Sequence, residues 1–69
     1  MIDYSPLWQT METKGISQYH LMKKGNIDNK TIYNLKRNKN ITLLTLEKLC
    51  TILECTPNDI ITFTPQKRE

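Results

Sequence analysis

A residue able to cap a helix N-terminus recurs every eleven to fourteen positions along this chain: Ser5, Ser17, Asp28, Thr42 and Thr56. Each stands just before apolar residues at helical spacing. Side-chain oxygens at such positions accept a hydrogen bond from a backbone N–H that the first turn leaves free. Punctuation this close holds every helix to roughly two or three turns. The 69 residues are therefore expected to fold as a series of short helices. A chain of that length makes one domain, near the lower limit at which a single hydrophobic core supports a fold. It has little material for a buried catalytic cleft with walls of its own, so function is expected on the outside.

Ser5-Pro6 opens a helix expected over 6–14, with proline where the N–H is free in any case. Leu7, Trp8 and Met11 follow at helical spacing, and Gly15 ends the helix in a left-handed conformation. Ser17 caps a second helix, about 18–24, with Leu21 and Met22 inward. Gly25-Asn26 ends it, both residues tolerating positive φ. Asp28 caps a third helix, about 29–37, with Ile27 and Ile32 placed as a hydrophobic staple across the cap. Ile32 and Leu35 face inward, and Asn38 or Asn40 closes the helix.

Thr42 caps a fourth helix, about 43–53, in which Leu43, Leu46, Leu49, Cys50 and Leu53 form an apolar stripe. Thr56-Pro57-Asn58-Asp59 reads as a capping box opening a short fifth helix, about 57–63, through Ile60, Ile61 and Phe63. The ordered core is expected over 5–63, with 64–69 frayed. The chain has no repeat, no linker and no clear period-2 alternation. The expected fold is all-α, a compact five-helix domain occupying 1–69.

No apolar run approaches the roughly 18 residues of a membrane span, and Met1 leads into Asp3 and Ser5 with no signal peptide, so a cytoplasmic protein without a membrane partner is expected. Cys50 and Cys55 are five apart, about 140° from a shared face on a continuous helix. That spacing suits neither a disulfide nor a zinc pair, and the single histidine, His20, is far off in sequence. Both cysteines are expected as reduced packing residues, Cys50 the deeper. Paired carboxylates at useful spacing, a nucleotide-binding glycine loop and a metal cluster are all missing from the sequence. No enzyme, cofactor, metal or small-molecule ligand is expected.

Charge is distributed unevenly. From Lys14 to Lys39 there are seven bases (Lys14, Lys23, Lys24, Lys30, Lys36, Arg37 and Lys39) and one acid, Asp28, a balance of +6 within a chain of +3 overall. Such a field steers a polyanion toward one region of the surface. The densest part, "IDNKTIYNLKRNKN" at 27–40, interleaves its charges with Ile32, Tyr33 and Leu35, which belong to an ordered helix.

The second and third helices, three or four residues apart, have the size and spacing of a helix-turn-helix, in which the first helix braces the second across the major groove. The stretch "SQYHLMKKGNIDNKTIYNLKRNKNITLLTLEKLCTILECTPNDI" resembles the Cro/phage-repressor (XRE) class of helix-turn-helix regulators. The resemblance covers about 5–63 and rests on Gln18, Leu21, Ile27, Ile32 and Leu35 together with "TLEKLCTILECTPNDI". The turn glycine falls one place early, with Asn26 where the family usually has Gly, and Met22 stands where a small alanine is common.

The resemblance implies a lambda-repressor-like fold and a set of roles. Gln18 would bond a phosphate at the start of the second helix, and Asn29, Lys30, Thr31 and Asn34 would read bases from the outward face of the third. The chemistry agrees: Asn bonds adenine N6 and N7, Lys donates to guanine O6 and N7, and the Thr methyl touches thymine. Tyr33, Lys36, Arg37, Lys39 and Asn40 are placed for the flanking DNA backbone, which fixes register and carries no sequence information. Tyr33 suits equally well a packing role over the fourth helix, and His20 is expected as a solvated residue near the phosphates.

The function implied is a sequence-specific double-stranded DNA-binding regulator, a repressor acting as a homodimer on a pseudo-palindrome in a bacterial or phage setting. Leu44, Ile60, Ile61 and Phe63 are the candidate dimer contacts. A module that keeps the fold but binds protein, an antitoxin or anti-repressor, is the alternative. The basic third helix argues against it.

Overall fold

The computed structural model describes residues 1–65 and is mostly helical. Its elements in chain order are β1 (Ile2–Asp3), α1 (Ser5–Lys14), α2 (Gln18–Gly25), α3 (Asn29–Lys36), α4 (Leu43–Leu53), a 3₁₀ turn (Pro57–Asp59) and β2 (Thr62–Phe63). Three expected caps form as side-chain hydrogen bonds. Ser17 Oγ accepts from the His20 N–H at 3.1 Å, Asp28 Oδ1 from Thr31 at 2.8 Å and Thr42 Oγ1 from Thr45 at 3.1 Å. Gly15 ends α1 at φ 68, the left-handed conformation expected of it.

The start of α1 differs by one residue from the reading of its sequence. Ser5 is the first helical residue, and Tyr4 stands at the cap position without a capping side chain. Asp3 takes over that task, its Oδ1 accepting from the Ser5 N–H at 2.9 Å and the Ser5 hydroxyl at 2.7 Å. These bonds, the side-chain one first, hold the Asp3 carboxyl below its ordinary pKa.

The core gathers Leu7 and Met11 of α1, Leu21 of α2, Ile27 of the turn, Ile32 and Leu35 of α3, and Leu49 and Leu53 of α4, with Tyr4 and Ile60 from the segments outside the helices. Trp8, Met22, Leu46 and Cys50 pack half-buried around it. Leu43, expected in the buried stripe of α4, is instead 83% exposed. It lies in the first turn of α4, after the exposed segment Lys36–Asn40, and borders the surface instead of the core.

Among the described residues four α-helices form and the expected fifth does not: the chain after α4 makes a single 3₁₀ turn and then a strand. Asp59 Oδ2 does accept from the Thr56 N–H, at 3.4 Å, so the expected N-terminal bond is present. The helix stops because Ile60, Ile61, Thr62 and Thr64 are β-branched, which costs χ1 freedom in a helix and suits a pleated strand. Pro65 also disfavours helical geometry at Thr64. β2 pairs antiparallel with β1, Ile2 opposite Phe63 and Asp3 opposite Thr62. The Thr64 N–H extends this ribbon to the Met1 carbonyl at 2.8 Å, so Thr64 is held where fraying was expected. Gln66–Glu69, the remainder of the expected frayed tail, lie outside the described residues.

Candidate nucleic-acid interface

The turn between α2 and α3 divides two demands between neighbouring residues. Asn26 carries the left-handed conformation, φ 58, and the Ile27 N–H closes back onto the Leu21 carbonyl at 3.3 Å. Gly25 has no positive φ; its missing side chain leaves room for the end of Ile52. A Cβ there would overlap Ile52 Cδ1 and come within 2.9 Å of Ile52 Cγ1. The early glycine is thus where α2 presses on α4, and the asparagine after it makes the reversal.

With Ile27, Ile32 and Leu35 buried, α3 is rotated so that its polar residues face out. Asn29 and Lys30 of the first turn are exposed, while Thr31 and Asn34 are half-buried. Thr31 and Asn34 line a groove of about 260 Å³ together with Asn40, Ile41, Thr42 and Thr45, between α3 and the N-terminus of α4. Gln18 is the first residue of α2 and is half-buried, as is His20. The Asp28 carboxyl lies below its ordinary pKa, chiefly through hydrogen bonds from Thr31 and more weakly through the positive charge of Lys30. It is ionised at neutral pH and secures the helix end that carries Asn29 and Lys30.

Tyr33, Lys36, Arg37 and Lys39 line a second, open groove of about 610 Å³. Tyr33 is half exposed, and the Arg37 guanidinium sits over its ring, 4.9 Å from the centroid. The pair holds the guanidinium at a fixed place on the rim of the groove. Tyr19 of α2 repeats the arrangement with Lys23, whose Nζ is 5.8 Å from the ring centroid. Its i,i+4 spacing to Lys23 on the basic segment was the available sequence signal. Asn40 and Asn38 are both exposed in the loop after α3, and the Asn38 side chain accepts from the Tyr4 N–H.

Asn38 and Tyr4 are structural residues of this surface that sequence reasoning did not single out as a pair. Asn38 takes φ 57 and its Oδ1 accepts from the Tyr4 N–H at 3.0 Å. The Tyr4 hydroxyl donates to the Lys39 carbonyl at 2.6 Å, and burial pushes its phenol pKa up. Of the four apolar residues read as dimer contacts, Leu44 and Phe63 are 62% and 72% exposed. Ile61 is half-buried, and Ile60 is fully buried in the chain's own core, which leaves it no surface for a partner. Leu43 and Leu44 instead border an apolar groove of about 590 Å³ with Leu46, Glu47, Cys50 and Pro57. No helix among the described residues is long and apolar enough to cross a membrane.

Two short helices clamped by a tight turn, the second presenting polar and basic side chains beside a basic groove, define a helix-turn-helix DNA-binding domain. The chain belongs to the Cro/C1-type helix-turn-helix DNA-binding domain family, whose model matches residues 6–66. It is also similar to a solved structure, the transcriptional regulator VanUg in its crystal form II. The identity is 26% over 94% of this chain and 87% of that one, with a TM-score of 0.87. Comparison with curated protein sequences found no match.

Proposed function

We propose that the protein is a sequence-specific transcriptional repressor that binds double-stranded DNA as a homodimer. The observation that carries this reading is the face of α3. Lys30 and Asn34 lie on the side turned away from buried Ile32 and Leu35, Asn29 is exposed in the first turn, Thr31 shares a groove with Asn34, and Tyr33, Lys36, Arg37 and Lys39 line a second, basic groove. The first set carries the donors and acceptors that distinguish base pairs in the major groove. The second set, with Gln18 and Asn40, supplies bonds and charge for the phosphates on either side.

A single α3 makes few base contacts, and pairing two copies on a pseudo-palindrome multiplies them. Leu43 and Leu44 at the start of α4, with Phe63 on β2, are the exposed apolar residues for that pairing, and half-buried Ile61 lies two residues before Phe63. Repression follows where the bound dimer occludes a promoter site. The similarity to a transcriptional regulator supports the same direction.

Selection of bound sites from a random double-stranded DNA library is the decisive experiment. A motif with two inverted halves about one helical turn apart is the expected outcome. Recovery of a featureless pool would overturn sequence-specific binding, and a single asymmetric half-site would overturn the dimer.

A further inference from the structure

The way α4 ends brings its two cysteines together. Glu54 takes a left-handed conformation, φ 52, and its N–H bonds the Thr51 carbonyl at 3.3 Å while the Cys55 N–H bonds the Cys50 carbonyl at 3.0 Å. These are the two bonds of a Schellman motif, which sets the side chain after the left-handed residue against the one five positions before it. α1 ends the same way: Gly15 is left-handed, the Ile16 N–H bonds the Met11 carbonyl at 2.9 Å, and Met11 and Ile16 are the facing pair. At the end of α4 the facing pair is Cys50 and Cys55. On a continuous helix these two side chains would diverge, but the helix stops at Leu53.

Both residues are free thiols and half-buried, and each perturbs the ionisation of the other. They open on different sides of the chain. Cys50 borders the apolar groove of Leu43, Leu44, Leu46 and Pro57. Cys55 borders a polar cleft of about 330 Å³ in which the charged residues are Lys14, Glu54 and Asp59, with Gln9, Thr10 and Thr13 completing its wall.

We infer that Cys50 and Cys55 form a reversible oxidation site that closes to an intramolecular disulfide by exchange with a charged low-molecular-weight disulfide. The polar cleft admits such a reagent, so Cys55 reacts first. Its thiolate attacks one sulfur of the reagent, a mixed disulfide forms on Cys55, and one reagent thiolate leaves. The Cys50 thiolate then attacks the Cys55 sulfur, forms the Cys50–Cys55 bond and expels the second reagent thiolate. Two protein thiols are oxidised, one reagent disulfide is reduced to two thiols, and these take up the two protons. Desolvation raises both cysteine pKa values, so little thiolate is present at neutral pH and the rate climbs as pH becomes alkaline.

The test incubates the full chain with oxidised glutathione at mildly alkaline pH. Remaining thiols are blocked, and the denatured, unreduced protein is cut with a Glu-specific protease, for which Glu54 lies between the cysteines. Fragments bearing Cys50 and Cys55 should stay joined until a reductant is added. Cys50→Ser should instead accumulate the glutathione adduct on Cys55, and Cys55→Ser should react more slowly than either. A wild-type chain that stops at mixed disulfides, or that links only between molecules, overturns the site. This digest on the wild-type chain stands whether or not either variant folds.

Discussion

The Tyr4 hydroxyl donates a 2.6 Å hydrogen bond to the Lys39 carbonyl, tying the residue before α1 to the loop that leaves α3. The Tyr4 N–H reaches Asn38 Oδ1 in the same loop at 3.0 Å, so one residue holds two successive positions of the segment that carries Lys39 and Asn40. Tyr4→Phe keeps the buried ring and removes the hydroxyl, leaving a part-buried carbonyl without its donor. Stability should fall by roughly 0.5–1.5 kcal/mol in denaturant unfolding. DNA affinity should fall to a similar extent on every sequence if the loop it holds meets phosphates, as proposed for Lys39 and Asn40. A loss confined to the preferred site would mean that this loop reads bases.

Positioning and reading separate by salt dependence. Replacing Lys36, Arg37 or Lys39 with Ala should weaken all sequences about equally and flatten the slope of log K against log salt by roughly one unit for each phosphate no longer neutralised. Replacing Asn29, Lys30 or Asn34 should cost on the order of 1–3 kcal/mol on the preferred site and relax choice at particular base pairs. Titration of each variant at several salt concentrations on matched and mismatched sites measures both. Asn29 and Asn34 variants that discriminate as the parent does would remove the base-reading assignment and leave this helix face merely solvated.

Ile32→Ala tests the docking of α3 itself. Ile32 is buried in the core on the inner side of α3. Its truncation should cost roughly 2–5 kcal/mol of stability, measured by denaturant unfolding. Affinity should fall only through the unfolded fraction. A variant that stays fully folded yet loses DNA would place Ile32 at the interface instead.

Gly25→Ala should destabilise the protein by about 1–3 kcal/mol, because the new methyl group occupies the space of the Ile52 side chain. Shortening Ile52 to Ala makes that room. In an Ile52→Ala background the same change at Gly25 should therefore cost less, a coupling that a double-mutant cycle reads directly. Strict additivity would show that the two residues do not compete for volume.

Acid sensitivity follows from Asp28. Its folded pKa is depressed below the ordinary 3.8, so its cap contributes fully above that value and is lost as pH falls through the lower folded one. Asp28→Asn retains a capping oxygen but does not titrate. Its stability relative to the parent should change across that acid window and stay constant from there to neutrality. Parallel curves throughout would show that Asp28 contributes nothing through its charge.

Local chemistry made much of this domain legible in the sequence. Ser17, Asp28 and Thr42 cap helices because their side-chain oxygens meet N–H groups only three residues away, and Gly15 and Asn26 reverse the chain because their own backbones tolerate it. The spacing of Ile27, Ile32 and Leu35 likewise set which side of α3 faces the core, and so which residues remain outside. Long-range packing decided the rest. The capping box at Thr56 starts a turn, but the pairing of β2 with β1 and the burial of Ile60 and Tyr4 draw the following residues into a strand. Leu43 obeys helical periodicity and is still exposed, because periodicity gives a direction and only the neighbouring elements supply something to bury against. Gly25 has its reason in Ile52, and the meeting of Cys50 with Cys55 depends on where α4 stops. Such relationships depend on distances between parts of the chain remote from each other or on the far side of a turn, and those distances exist only once the helices have packed.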